Sequence, residues 1–185
     1  MPLAPKPPSA SATEMVQVVL PNDANPMGFM LGGAVMHLID IAGAIAAFRH
    51  ARELMVTAAV DGLEFLNPIK VGDFIVLKAH VTATFTTSLE VEVTVFSEEA
   101  LTGRRQMTSR AHLTFVTLAR DGVRPQIPPL LLETDEEKRQ QDAAEVRRAE
   151  RLQRRARRTG SLTPVSSPTS SAEAVPAAAR CSCRD

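Results

Sequence analysis

The spacing of apolar residues changes along the chain and divides it into elements. Between residues 33 and 48, apolar side chains recur at intervals of three and four, which predicts a helix. The positions between them are mostly Ala and Gly, so we expect this helix to be buried on nearly all sides. Alternating patterns before and after it predict five strands. These cover residues 14–20, 55–65, 73–85, 89–96 and 105–118.

Short turns join the last four predicted strands. Turn residues stand at Val71-Gly72-Asp73 and at Leu101-Thr102-Gly103, for example. Short connections favour antiparallel neighbours. A single helix can be shielded from water on nearly every side only if the sheet curves around it. The pattern therefore predicts an α+β domain over residues 13–130, with a curved antiparallel sheet wrapped around one long central helix.

The segments that flank this domain have different compositions. Residues 1–12 are rich in Pro, Ser and Ala, lack the apolar core of a secretory signal and predict a flexible leader. Residues 133–158 predict a charged helix that begins with a capping box formed by Thr134 and Glu137. Residues 159–185 are dominated by Ser, Thr, Pro and Ala, which predicts a disordered tail.

The end of the charged helix, residues 147–158, is strongly basic and has almost no apolar stripe. We therefore expect nothing to dock this helix onto the domain along its whole length. Three interpretations of the basic residues stay open. They can form a solvated helix end, attach to an anionic membrane or nucleic acid, or contact a neighbouring subunit.

Composition limits the function classes. The chain has 185 residues, and its 21 basic and 21 acidic side chains balance, which argues against wholesale capture by nucleic acid. No run of 18 apolar residues is free of charge, so we expect no membrane span. The two cysteines, Cys181 and Cys183, are too few for a structural zinc site, and we expect no metal and a cytoplasmic location.

The candidate chemistry lies at the start of the predicted central helix. Gly32 and Gly33 open it, and Asp40 is the one carboxylate in its apolar run. An ionised group loses its hydration when it leaves water, so a dry Asp40 needs a partner or a chemical task. The first N–H groups of a helix lack partners within it and carry partial positive charge. Gly32 and Gly33 are therefore predicted to stabilise an oxyanion, with Asp40 as general base or nucleophile.

Ten short segments, in this order and spacing, resemble the hotdog-fold acyl-CoA thioesterases of the bacterial and brain acyl-CoA hydrolase type, over about residues 16–137. The resemblance implies a hotdog subunit, a homodimer with the active site at its interface, and a trimer of dimers. It also implies hydrolysis of acyl-CoA to a free acid and CoA, with no cofactor beyond the CoA of the substrate. The segments are Pro21–Pro26, Gly32-Gly33, Leu38–Ala42, Ala47–Arg52, Val56–Asp61, Phe65–Ile69, Gly72-Asp73, Ser88–Val91, Leu113–Val116 and Ile127–Leu130.

In this resemblance Asp40 matches the catalytic carboxylate of the family. Relatives often carry Asn or Asp after the glycine that corresponds to Gly28, whereas this chain has Phe29. Either another polar group positions water (Asn25, His37 or Thr57), or the activity is weaker or differently selective, or Phe29 lines the acyl channel. The predicted substrate-binding residues are Asn25, Phe29, Thr57, Arg49, Ser88 and Arg104.

The two arginines of that set, Arg49 and Arg104, are included because guanidinium groups suit the phosphates of CoA. The departure at Phe29 leaves an alternative open. The chain could be an acyl-CoA-binding module with weak or no catalysis, acting as a sensor or a partner-binding protein.

Overall fold

The computed structural model describes residues 3–160, which contain two α-helices and one five-stranded sheet. The chain forms one compact unit to Glu150 and a second from Arg151 onward. The predicted tail therefore lies almost wholly outside the described residues. The elements are β1 Thr13–Val18, α1 Gly32–Ala51, β2 Met55–Phe65, β3 Phe74–Thr84, β4 Ser88–Glu98, β5 Arg105–Thr117 and α2 Asp135–Gly160, with short 3-10 helices at Pro8–Ser11 and Pro21–Asp23.

The sheet has the strand order β1-β3-β4-β5-β2, and all neighbours are antiparallel. The α+β class and the antiparallel sheet around a long helix are thus confirmed. β2 follows α1 in the chain but lies at the edge of the sheet, beside β5. Within the described residues, no strand pairs with the other side of β2.

α1 packs on the sheet through a face of small residues. Ala42, Ala46 and Ala47 are completely buried. Gly43 lies against Phe115 so closely that a Cβ at this glycine would stand 3.2 Å from the aromatic ring. The small Ala and Gly residues of this face therefore let the helix pack close to the sheet.

The opposite face of α1 is open in the single chain. Met36, His37, Asp40 and Phe48 are all exposed. The expectation that the helix is buried on nearly all sides is therefore wrong for one chain, because the sheet covers only one face. By length and composition alone α1 could cross a membrane, a test that a core helix packed on a sheet also passes.

The N-terminal segment belongs to the folded domain. The Ser11 hydroxyl donates to the carbonyl of Pro8 (2.7 Å) and accepts the N–H of Val81 (3.0 Å). Lys6 Nζ donates to the carbonyl of His50 at the end of α1 (2.7 Å). The flexible leader predicted for residues 1–12 is thus wrong for residues 3–12, because backbone and hydroxyl groups anchor a segment that has little apolar pattern.

α2 begins with the predicted capping box. The N–H of Glu137 donates to Thr134 Oγ1 (3.2 Å), and the N–H of Thr134 donates to the carboxylate of Glu137 (2.9 Å). These reciprocal bonds satisfy two amide donors that have no partner inside the helix.

α2 docks on the side of the sheet opposite α1, up to Glu150, mainly through polar contacts. Arg147 donates two hydrogen bonds to the carboxylate of Glu90 on β4 (2.6 and 3.1 Å). Arg148 lies over the ring of Phe85, 4.2 Å from its centre, and Ala144 is completely buried. The expectation that nothing docks this helix is therefore wrong for this part, because charged and aromatic contacts replace an apolar stripe.

The buried His50 makes stability depend on pH. Its side chain is completely buried, and Nε2 donates to the carbonyl of Pro128 (2.9 Å). Burial lowers the pKa of His50 below its ordinary value, so the unfolded chain binds this proton more readily than the folded one. Stability is therefore lost as the pH falls below about 6.5, the usual pKa of histidine.

We expect thermal unfolding between pH 7.5 and 5.5 to show this loss, and His50→Asn to reduce the slope of Tm against pH. His37→Asn, on the exposed face of α1, is the comparison variant. An unchanged slope in His50→Asn would contradict the assignment.

Candidate functional site

Asp40 and Thr57 form a hydrogen-bonded pair on the open face of α1. Thr57 lies near the start of β2, and its Oγ1 donates to Asp40 Oδ1 at 2.6 Å. This bond orients the carboxylate. Within residues 3–160, Oδ2 accepts no hydrogen bond, and the side chain is exposed. As expected from the sequence, Asp40 therefore has a hydrogen-bond partner, Thr57. Its side chain is, however, exposed to solvent in the single chain rather than buried.

The start of α1 presents free amide donors. Its N-cap residue, Leu31, supplies no side-chain cap, and the N–H groups of Ala34 and Val35 both donate to the Leu31 carbonyl (3.0 and 3.1 Å). In the described chain, the N–H groups of Gly32 and Gly33 have no acceptor. A Cβ at Gly33 would meet nothing within 4 Å. An oxygen atom from outside the chain can therefore reach these donors.

A cleft of about 360 Å³ lies beside Gly32. At its rim, Asn25 Oδ1 accepts the backbone N–H groups of Met27 (3.0 Å) and Phe29 (3.2 Å). Backbone N–H groups only donate, so the amide is held with its NH₂ group free to donate to a ligand. The cleft is lined by Asn25, Phe29, Met30, Gly32, Val35, Phe65, Leu66, Asn67, Pro68, Ile69 and Ser109.

The predicted catalytic residues fall into two separate places on one chain. Neither Asp40 nor Thr57 lines the cleft. Eight residues of helix separate Gly32 from Asp40, which is a rise of about 12 Å. A general base must come within about 3 Å of the proton that it removes. The expectation that Asp40 works beside a carbonyl held at the start of its own helix does not fit this distance.

The remaining predicted substrate-binding residues lie away from the cleft. Arg49 donates to the Ala12 carbonyl and to Thr13 Oγ1 (3.0 Å), and so anchors the N-terminal segment. Arg104 lies in the turn after β4, where it pairs with Glu99 (3.6 Å). Ser88 begins β4, about 33 Å from the far end of that strand at the usual rise per residue. The structure does not bring these three residues together.

Sequence reasoning missed Phe65 as a residue of the cleft. The segment Phe65–Ile69 was named only as one of those that carry the family resemblance. Gly62 gave a partial signal, because a glycine inside a strand pattern often marks a bulge. The second register shift in β2, between Thr57 and Ala59, has no such marker in the sequence. For metals, no group of three or more His, Cys, Asp or Glu side chains in residues 3–160 is arranged to hold an ion.

Comparison with known proteins identifies the family. Residues 27–103 match the model described as the thioesterase superfamily. The chain is 38% identical over 137 residues to an uncharacterized acyl-CoA thioester hydrolase of Bacillus subtilis, covering 74% of this chain and 80% of that protein. The chain therefore belongs to the thioesterase superfamily, and within it to the acyl-CoA thioester hydrolases.

The chain is also 32% identical over 158 residues to the human cytosolic acyl coenzyme A thioester hydrolase. This match covers 84% of the present chain but only 41% of the human protein. The chain thus spans most of the bacterial relative and less than half of the human one.

Solved structures show the same fold. An apo-hexameric acyl-CoA thioesterase matches with a TM-score of 0.78 and 37% identity, over 83% of this chain and 99% of that chain. The acyl-CoA hydrolase of Staphylococcus aureus, solved with butyryl coenzyme A and coenzyme A, matches with a TM-score of 0.77 and 34% identity, over 84% and 94%.

Three variants of the Staphylococcus aureus enzyme have also been solved, with an Asn, an Asp and a Thr each replaced by Ala. In chain order the three positions are 15 and then 17 residues apart. Asn25, Asp40 and Thr57 have the same order and the same spacing.

Proposed function

We propose that this protein hydrolyses acyl-CoA thioesters to a free carboxylic acid and CoA. The observation that carries the proposal is the Asp40 carboxylate, held by Thr57 on the open face of α1. The comparisons support the proposal as well, because Asn25, Asp40 and Thr57 have the same spacing as the three residues replaced in the Staphylococcus aureus hydrolase.

The active site in this proposal is completed by a second copy of the chain. Within residues 3–160 the outer edge of β2 pairs with no other strand, and an edge of this kind attracts another strand. Apolar side chains are exposed along β2 and on the neighbouring face of α1, and such a patch favours burial in an interface. They are Leu54, Val56, Val60, Phe65 and Leu66 beside Met36 and Phe48. Two copies joined through their β2 edges would bring Asp40 and Thr57 of one copy to the cleft of the other.

A larger assembly extends this pairing. One structural neighbour is a hexamer, and we propose a trimer of such dimers for this chain as well. The cytoplasmic location remains part of the proposal, and its support is the relative whose name describes it as cytosolic.

The proposed reaction proceeds at the start of α1. The thioester carbonyl oxygen accepts hydrogen bonds from the N–H groups of Gly32 and Gly33 and from the Asn25 amide. Asp40 of the second copy removes a proton from water, and the resulting hydroxide attacks the carbonyl carbon. The same donors stabilise the tetrahedral oxyanion. The C–S bond then breaks, and the CoA thiolate takes the proton from Asp40.

A nucleophilic Asp40 is the alternative first step, with attack of the carboxylate on the carbonyl carbon and hydrolysis of the resulting anhydride. Label in the Asp40 carboxylate after a single turnover in ¹⁸O-labelled water would identify the anhydride route, because water that attacks the aspartyl carbonyl leaves its oxygen there, whereas the general-base route puts the label only in the product acid. Both routes consume only water and call for no metal or redox cofactor.

The non-catalytic binding module has less support, because Asn25 lines the cleft and offers a polar group where Phe29 has none. Tight binding of acyl-CoA without any release of thiol would overturn the hydrolase proposal in favour of that module.

A complementation experiment tests the two-copy site. Asn25→Ala and Asp40→Asn should each be nearly inactive alone, whereas co-folding equal amounts of the two should restore about a quarter of the parent activity. In a symmetric dimer, half of the randomly mixed pairs carry both variants, and one of the two sites in such a pair is intact.

The matched control mixes Asp40→Asn with Thr57→Val. Both changes lie in the same half of the proposed site, so no intact site can form, and activity should stay at the sum of the two separate variants. Equal results for the two mixtures would contradict a site shared between copies.

A further inference from the structure

Two register shifts in β2, between Thr57 and Ala59 and between Asp61 and Glu64, together leave Phe65 on the same side of the strand as Thr57, toward α1. Asp61 pairs with His112 and Glu64 pairs with Arg110, so β2 contains one residue more than β5 between these pairs. Gly62 lies in this bulge with φ of +67°, a conformation that favours glycine. Counted from Asp61, this extra residue reverses the side on which Phe65 lies, and counted from Thr57 the two shifts cancel.

The ring of Phe65 forms a wall directly beside the proposed oxyanion donors. Its Cζ lies 3.4 Å from the place that a Cβ on Gly32 would occupy. The ring lines the cleft and is about half exposed in the single chain, so it does not fill the core, and part of this exposed area belongs to the apolar patch assigned above to the second copy. Phe29 contributes a second ring to the same cleft, and the buried Met30, Val35 and Ile69 form its inner surface.

The chemistry of the cleft selects between the two arms of a bound thioester. A carbonyl at Gly32 carries the acyl chain on one side and the sulfur of the pantetheine arm on the other. The pantetheine arm has amide groups that need hydrogen-bond partners when they are buried. Of the three polar lining residues, Asn67 Nδ2 donates to the Met107 carbonyl (2.9 Å), Ser109 is almost completely buried, and Asn25 is assigned to the oxyanion in the proposed reaction. The other lining side chains are apolar.

We infer that this cleft takes the acyl chain of the substrate, and that Phe65 is a specificity-determining residue that limits the chain length. The inference rests on the proposed function. Each methylene buried in an apolar cleft improves binding about fourfold. If the Phe65 ring blocks the acyl chain, methylenes beyond the ring gain nothing. A plot of kcat/KM against acyl chain length should therefore stop rising at that length.

The test measures kcat/KM by thiol release for saturated acyl-CoAs from acetyl to palmitoyl. Phe65→Ala should move the optimum to longer chains and raise the long-to-short ratio of kcat/KM about tenfold, the scale on which pockets discriminate a methylene. Phe65→Trp should move the optimum to shorter chains. Phe96→Ala, a half-buried position on β4 that does not line the cleft, is the control and should keep the parent profile.

The outcomes separate the two proposals. If the parent chain releases no thiol from any acyl-CoA, the proposed function fails. If the parent chain is active and both Phe65 variants keep its length profile, with Tm values that show folded protein, the inference alone is overturned. A uniform loss of kcat/KM at all lengths without a shift of the optimum, in variants that keep the parent assembly in size-exclusion chromatography, overturns it as well.

Discussion

Replacing Asp40 by Asn is expected to lower kcat for acyl-CoA hydrolysis about a thousandfold, within the range that a positioned acid–base group contributes. An Asn side chain has nearly the same shape and still accepts the hydrogen bond of Thr57 through its oxygen. It can neither take a proton from water nor attack a carbonyl as a carboxylate does. Substrate binding should therefore persist while turnover is lost, and a thiol-release assay with full saturation curves measures both.

The hydroxyl of Thr57 provides a graded comparison. Thr57→Val removes the bond that orients the Asp40 carboxylate and should cost about tenfold in kcat, whereas Thr57→Ser keeps a donor and should retain most of the activity. Size-exclusion chromatography should show the parent assembly for all three variants. If Asp40→Asn turned over within a few-fold of the parent chain, Asp40 would have no part in the mechanism.

Removing the charge of Arg147 is expected to destabilise the fold strongly. Glu90 is only 2% exposed, and its carboxylate accepts two hydrogen bonds from Arg147 and one from Thr82 (2.8 Å). Arg147→Met leaves this carboxylate buried without its counter-charge, which costs about 3 kcal/mol of unfolding free energy. Urea unfolding at pH 7 measures the loss as a lower midpoint.

Two further variants isolate the cause. Arg139→Met, on the same helix, removes an exposed ion pair with Glu136 and should cost less than about 1 kcal/mol. Adding Glu90→Gln to Arg147→Met should recover most of the stability, because the amide is neutral and its oxygen still accepts from Thr82. An Arg147→Met variant no less stable than Arg139→Met would show that the buried pair does not hold α2.

The sequence was sufficient for the order and kind of the elements, because their apolar periodicity is local. The bounds of β2 were predicted without error, and the other elements differ by a few residues at their ends. Asp40 and Gly32 could be singled out since a carboxylate inside an apolar helix and a glycine pair at its start are both visible in one chain. That Thr57 holds Asp40 could not be predicted, because the bond joins residues 17 positions apart on different elements.

The errors have physical reasons of their own. The surroundings of Asp40 were misjudged because the pattern of α1 does not say which of its faces is covered by its own chain. The docking of α2 was missed because Arg147 and Glu90 leave no periodic signal in either element. Phe65 was overlooked because the cleft is lined by residues from separate segments of the chain, and no local pattern shows that these segments meet.

The open edge of β2 also affects the chain before any substrate is present. As far as the structure describes the chain, a newly made copy leaves one edge of the eleven-residue β2 without a partner strand, beside apolar side chains such as Val60 and Met36. Unpaired strands of this kind recruit other chains without regard to register and so begin aggregates. In the proposed dimer the same edge is closed. Assembly would therefore protect the solubility of the protein as well as complete its site, and loss of pairing would appear as precipitation as much as inactivity.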